Sequence, residues 1–136
     1  MSNADTATAF AAALSGHDLD KIAALMTDDF TGTGLAPVPI NKEMFLAGQK
    51  AWYAGCPDWT ATVNQLTENG DVVTGKVIVT ATHTGTLSLP NAPTLEPTGK
   101  HLSMSEDATL TIRDGKVAAL VVTRDPPTLT QQLGLP

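Results

Sequence analysis

Only one cysteine, Cys56, occurs in 136 residues, so no internal disulfide can form and the paired-thiol motifs of redox proteins and zinc ribbons are missing. Positive charge is scarce as well. Eight Lys and Arg stand against fourteen Asp and Glu, a net charge of −6, and no basic run exists. Binding to nucleic acid depends on neutralising phosphates, so nucleic acid is not an expected partner. No apolar run approaches the ~20 residues that cross a bilayer, so no membrane partner is expected either. The opening MSNADTATAF has neither a basic segment nor an apolar one of the secretory kind, which makes the cytoplasm the expected compartment. There is no G-x-S-x-G elbow, no C-x-x-C pair and no phosphate-cradling glycine loop, and His17, His83 and His101 show no metal-ligand spacing. The expectation is a protein that uses neither metal nor cofactor.

What is present is the length and mix of one globular domain over 1–136, with 42% hydrophobic residues and enough chain for a core plus one internal pocket. Phe10 and Leu14 in an alanine-rich stretch predict a helix over 4–14, stopped at Ser15-Gly16. Asp18 then reads as an N-cap for a second helix carrying Leu19, Ile22, Leu25 and Met26. A short strand is expected at Phe30 to Thr33 and a proline-bearing loop from Gly34 to Ile40. Asn41 is placed to cap a third helix to about Ala54, with Phe45, Gln49, Trp52 and Cys56 on one face.

After Gly55-Cys56-Pro57-Asp58 the period changes from 3.6 to 2. Strands are predicted at Trp59–Thr67, Val72–Leu87, His101–Arg113 and Lys116–Arg124, and a short terminal helix at Thr128–Leu133. Asn69-Gly70 and Asp114-Gly115 are hairpin dipeptides, whereas 88–99 is a proline-rich crossover. Helices first and hairpin-linked strands afterwards argue for an α+β fold, with N-terminal helices packed on a curled antiparallel sheet to form a cone with an internal cavity. Such cavities are the usual seat of small-molecule sites.

Polar residues on otherwise apolar strand faces are the candidates for chemistry. His83 ends the face of Val73, Val77, Val79 and Ala81; it is either satisfied by a neighbouring carbonyl or turned toward a ligand as a proton donor or acceptor. Glu106 interrupts the face of Leu102, Met104, Ala108 and Leu110. A carboxylate there is paired, hydrated through a cavity, or protonated with a raised pKa, unless that end of the sheet is simply wet. In the last strand Val117, Ala119, Val121, Thr123 and Asp125 alternate with Ala118, Leu120, Val122 and Arg124, both sets largely apolar. Asp125 emerges beside Pro126-Pro127, where a helix cap is the plainer reading.

These residues resemble the SnoaL-like polyketide cyclase family, within the superfamily of nuclear-transport-factor-2-like, cystatin-like cones. The resemblance covers about 52–135. It rests on Pro57-Asp58, Gly70-Asp71-x-Val73, Thr82-His83-Thr84-Gly85, Pro97-Thr98-Gly99-Lys100, Asp114-Gly115-Lys116-Val117, and Asp125 followed by Gln131-Gln132-Leu133-Gly134. It implies cofactor-free intramolecular aldol ring closure of an aromatic polyketide ester, with Asp125 as acid/base and His83 lining the pocket. The chain departs from the family at Ala119 and Val121, where a Glu and a Trp are common, and at Ala108, where an inward acid is common.

On this reading Asp125 moves the proton, His83 orients the substrate oxygen, and Glu106 is the second carboxylate. Phe45, Trp52, Trp59, Met104 and Val121 would form an apolar cage around a hydrophobic small-molecule substrate. Isomerisation or epoxide opening on the same cone is the neighbouring alternative, and a non-catalytic ligand-binding or dimerising module is the distant one. The apolar outer face of the last strand is expected to support a homodimer or higher homo-oligomer.

Overall fold

The computed structural model describes residues 2–90 and 92–135. Helix α1 (Asn3–Ser15) starts from a capping box in which Ser2 accepts from the Asp5 backbone N–H and Asp5 bonds back to the Ser2 backbone. Asp18 caps the short α2 (Leu19–Ala24), and Asn41 caps α3 (Lys42–Gly55). Helix α4 (Leu129–Gln132) follows a capping box of Thr128 and Gln131. The expected helices are therefore present, with α2 shorter than predicted. Met26 instead opens β1 (Met26–Thr33), which continues through Phe30.

The strands are β1, β2 (Ile40–Asn41), β3 (Thr60–Asn69), β4 (Val72–Thr82), β5 (His101–Arg113) and β6 (Lys116–Arg124), in the spatial order β2-β1-β6-β5-β4-β3. β4 stops five residues short of the predicted end. The β3–β4, β4–β5 and β5–β6 pairs are antiparallel as expected, but β1 runs parallel to β6, so the sheet is mixed. The reason lies in the connection. The helix α3 and strands β3 to β5 separate β1 from β6, and a tight hairpin could not join them. The sheet is curled and unclosed, with the helices against one face.

Two bulges set which side chains point inward. In β3, Asn64 opposes Lys76 while Thr67 opposes Thr74, leaving Gln65 and Leu66 across from Gly75. Gln65 adopts a positive φ of 56°, and Leu66 turns inward over Gly75. A Cβ at Gly75 would stand 2.7 Å from the end of the Leu66 side chain, so glycine here leaves Leu66 its inward place. In β6, Val117 opposes Ile112 but Ala119 already opposes Thr111, so Ala118 is supernumerary.

The buried residues form two clusters. One unites Phe10, Phe30, Phe45, Ile22, Leu110 and Val117, with Phe30 edge-on to Phe45 at 5.4 Å between ring centroids. The other gathers Trp59, Val79, Leu87, Leu102, Met104 and Leu133. The end of α1 is tied to the start of β3. Ser15 Oγ donates to the Ala61 carbonyl and accepts its N–H, Tyr53 Oη donates to the Leu14 carbonyl at 2.7 Å, and His17 stacks on Tyr53 while its Nε2 bonds the Trp59 carbonyl. Burial pushes the Tyr53 phenol up to about 12, so it remains a donor across the physiological range. These ties hold the helices off the middle of the sheet. The space that remains is the cavity. Among the described residues no helix is long and apolar enough to cross a membrane.

Candidate functional site

A cavity of about 1020 Å³ opens between the two clusters, at the upper end of the range for small-molecule sites. α1 contributes Phe10 and Leu14, and α3 contributes Phe45, Gln49 and Trp52, which fall on one face at positions i, i+4 and i+7. The sheet contributes Val77 and Val79 from β4, Met104, Glu106, Ala108 and Leu110 from β5, and Leu120 and Arg124 from β6. The loop 35–38, the crossover residues Leu89, Pro90, Ala92 and Pro93, and Leu135 near the C-terminus complete its lining.

Glu106 is the acidic group of this interior. It lies on β5 between Met104 of one cluster and Ala108 of the other, at the seam where neither cluster closes over it, and its side chain is 10% exposed. Its cross-strand neighbour is Arg124, whose Nε donates to Glu106 Oε2 at 3.3 Å. Burial pushes the Glu106 carboxyl above the usual carboxylate range, and the Arg124 charge and hydrogen bond offset part of that rise. A carboxyl raised in this way holds a proton more readily than a solvated one, which suits it to both taking and returning one.

Of the residues singled out from the sequence, Phe45, Trp52, Trp59, Met104 and Glu106 line this one cavity. Asp125 does not. It is exposed at the end of β6, its backbone N–H bonded to the Ser105 carbonyl, and its charge reaches Lys76, which pairs with Asp107 on the outer face. Val121 is likewise outside, 45% exposed. The cause of both departures is the extra residue Ala118. Strict alternation from the buried Val117 would turn 119, 121, 123 and 125 inward, whereas the bulge passes that place to Leu120, Val122 and Arg124.

His83 also stands apart from the cavity lining. It keeps the inward parity of β4 but lies one residue beyond the strand, fully buried. Its backbone exchanges hydrogen bonds with Lys100 and Gly99, and its Nδ1 bonds the Thr98 hydroxyl at 2.9 Å. It thereby fastens the turn at 98–100 that feeds β5. Asp58 fastens the same end by accepting from both the backbone N–H and the hydroxyl of Thr82, which holds its carboxyl below the usual range. Cys56 is fully buried and its thiol is pushed up to about 11, so it packs as a small hydrophobe rather than as a nucleophile.

The reading from sequence did not single out Arg124 or assign a role to Gln49. Nothing in Lys-Val-Ala-Ala-Leu marks the bulge that turns Arg124 inward, since both alanines suit either face. For Gln49 a signal existed, because it is the polar member of the face shared by Phe45 and Trp52.

No curated protein matches the chain. Among solved structures, the chain is similar to AclR of Streptomyces galilaeus, a proposed hydroxylase, at 23% identity and a TM-score of 0.79, covering 98% of this chain and 86% of that one. It is similar to IdmH of Streptomyces antibioticus, a proposed polyketide cyclase, at 25% identity and a TM-score of 0.78 over 99% of this chain and all of the other. A third likeness is to a proposed polyketide cyclase from Bacillus cereus, at 24% identity and a TM-score of 0.74 over 96% and 78% of the two chains. A protein with a ketosteroid-isomerase-like fold from Catenulispora acidiphila shares the architecture at a TM-score of 0.71. With the model of SnoaL-like polyketide cyclases matching residues 4–133, nearly the whole length, the chain belongs to that family.

Proposed function

We propose that this protein is an acid/base enzyme that closes a ring by intramolecular aldol addition in an aromatic polyketide or similarly hydrophobic carbonyl compound. The observation that carries the proposal is a buried carboxyl, Glu106, set in an apolar cavity of about 1020 Å³ with Arg124 at its side. Glu106 takes the proton alpha to one carbonyl, and the electron pair left behind delocalises as an enolate. Arg124 offsets the negative charge that develops on the enolate oxygen. The enolate carbon attacks a second carbonyl of the same molecule, and the resulting alkoxide recovers the proton from Glu106. Protons and electrons balance within the substrate, so the step calls for no coenzyme. Phe45, Trp52, Trp59 and Met104 hold the flat ring system, and the folded-back chain that must react is a matter of shape.

The test follows alpha-proton exchange by NMR in D₂O with polycyclic aromatic β-keto esters. The wild type is expected to accelerate exchange over buffer. Glu106→Gln is expected to lose roughly 10²–10⁴-fold of that rate, the usual share of general acid–base catalysis, while ligand affinity changes only a few-fold. Exchange no faster than buffer across the panel, with binding intact, would overturn the enzymatic reading and leave a ligand-binding module.

A further inference from the structure

Gln49 is 8% exposed and lines the cavity from α3, between Phe45 one turn before it and Trp52 one turn after. Its Oε1 is buried and has no hydrogen-bond partner among the described residues. Buried amides are nearly always paired, because leaving one unpaired costs stability. The neighbouring polar groups are already engaged. Glu106 and Arg124 hold each other on the sheet wall, the Tyr53 hydroxyl is spent on the Leu14 carbonyl, and Thr130 pairs with Thr128. Gln49 is therefore the buried polar side chain that α3 gives to the cavity, since Asn41 and Glu43, nearer the start of that helix, line it from exposed positions. A leucine or methionine would fill that place on α3 with better packing and no unpaired amide.

We infer that Gln49 is a substrate-positioning residue whose carboxamide hydrogen-bonds a hydroxyl or enol on the edge of the ring system that faces α3. The inference rests on the reading of the cavity as the substrate site and adds the polar group that the substrate must carry. A half-turn about the soft terminal torsion presents either the carbonyl oxygen or the NH₂ group to the cavity, so Gln49 accepts from a phenolic hydroxyl or donates to a ring carbonyl. Because α3 and the sheet form different walls, the group held by Gln49 belongs to a different part of the substrate from the carbon deprotonated by Glu106. The hydrogen bond fixes the direction in which a flat, otherwise featureless ring system lies in an apolar slot, which sets the carbonyl pair that meets Glu106.

The experiment compares two fluorescent probes of equal shape, 1-hydroxypyrene and 1-methylpyrene, in titrations of the wild type, Gln49→Met and Glu106→Gln. Methionine keeps the unbranched length of glutamine and removes its polar atoms. The affinity ratio of hydroxyl to methyl probe is expected to fall roughly tenfold in Q49M, the equivalent of about 1.4 kcal/mol, and to change little in E106Q. Thermal unfolding of the ligand-free Q49M protein is expected a few degrees above wild type, because an unpaired buried amide has been removed. A ratio within twofold of wild type in Q49M overturns the inference, as does an equal loss for both probes. Loss of exchange activity in E106Q with no change of ratio in Q49M would sink Gln49 and spare the acid/base reading; the reverse pattern would do the opposite.

Discussion

Replacing Arg124 with methionine removes the cation that faces Glu106 while keeping most of the apolar stem that lines the cavity. Burial raises the Glu106 carboxyl, and the charge and hydrogen bond of Arg124 oppose that rise, so the variant leaves burial unopposed. Two unit charges about 4 Å apart attract by about 4 kcal/mol at an effective dielectric of 20, a gross figure from which the desolvation of both groups must be subtracted. An opposite charge at this range displaces a carboxyl titration by roughly 1–3 pH units. The 27% exposure of the Arg124 side chain argues for the lower end, because water screens part of the field. The acid limb of the exchange-rate profile is therefore expected to move up by about one pH unit in Arg124→Met.

Stability should report the same change with a definite sign. A carboxyl whose folded pKa lies above its unfolded value binds its proton more tightly in the fold. Its contribution is then most favourable below the unfolded pKa and is lost as pH rises through the folded one. The variant should thus approach wild-type stability near pH 4 and fall behind it as pH rises to 7, by at most about 1.4 kcal/mol per pH unit between the two titrations. Urea unfolding at a series of pH values, with the ¹³C signal of the Glu106 carboxyl followed in the unliganded protein, measures both. A limb that stays in place or moves down, or a stability difference independent of pH, would refute the claim that Arg124 governs this carboxyl.

Three further outcomes are expected. Asp125→Asn should keep alpha-proton exchange within a few-fold of wild type, since Asp125 sits on the outer face; a loss as large as that of Glu106→Gln, read in the same NMR assay, would return the acid/base role to Asp125. Phe30→Ala should cost about 3–5 kcal/mol in urea unfolding, because Phe30 is 1% exposed and packs edge-on to Phe45 in the core. Val121 is the exposed hydrophobe on the outer sheet face, and we propose that this face pairs two copies of the chain. Val121→Lys should then convert a dimer to a monomer in sedimentation, and a wild type that sediments only as a monomer would end that proposal.

The period of the apolar residues made much of this fold legible. β5 and β6 have the bounds read from alternation and from the Asp114-Gly115 turn, and the capping residues Asp18 and Asn41 start the helices they were expected to start. What could not be read depended on the third dimension. Met26 to Asp29 carries no clear period, and β1 takes it in because Met26 on one side and Thr31 to Thr33 on the other pair with β6 around an irregularity. Leu87 has the composition of β4, yet it leaves the ladder and makes an isolated bridge with Leu95 instead. Glu106 was legible as a polar break in an apolar face, and Phe45, Trp52, Trp59 and Met104 as large side chains at inward positions.

Asp125 and Arg124 show how one supernumerary residue decides the chemistry of such a site. Had β6 alternated strictly, with Ala118 paired in the ladder, Asp125 would point toward the cavity one pair along from Glu106, and two carboxyls would share it. Like charges in a poorly solvated space push one carboxyl to hold its proton, which suits a water held between acid and base. With the bulge, the inward residue is a cation. Glu106 then faces a positive partner that favours its ionised form and can also stabilise an enolate, while burial keeps its proton affinity from falling too far. On the function proposed above, that pairing is what would favour carbon acid chemistry over hydrolytic opening of a ring. The distinction arises from backbone register, since both residue types are present at consecutive positions and only one of them can face inward.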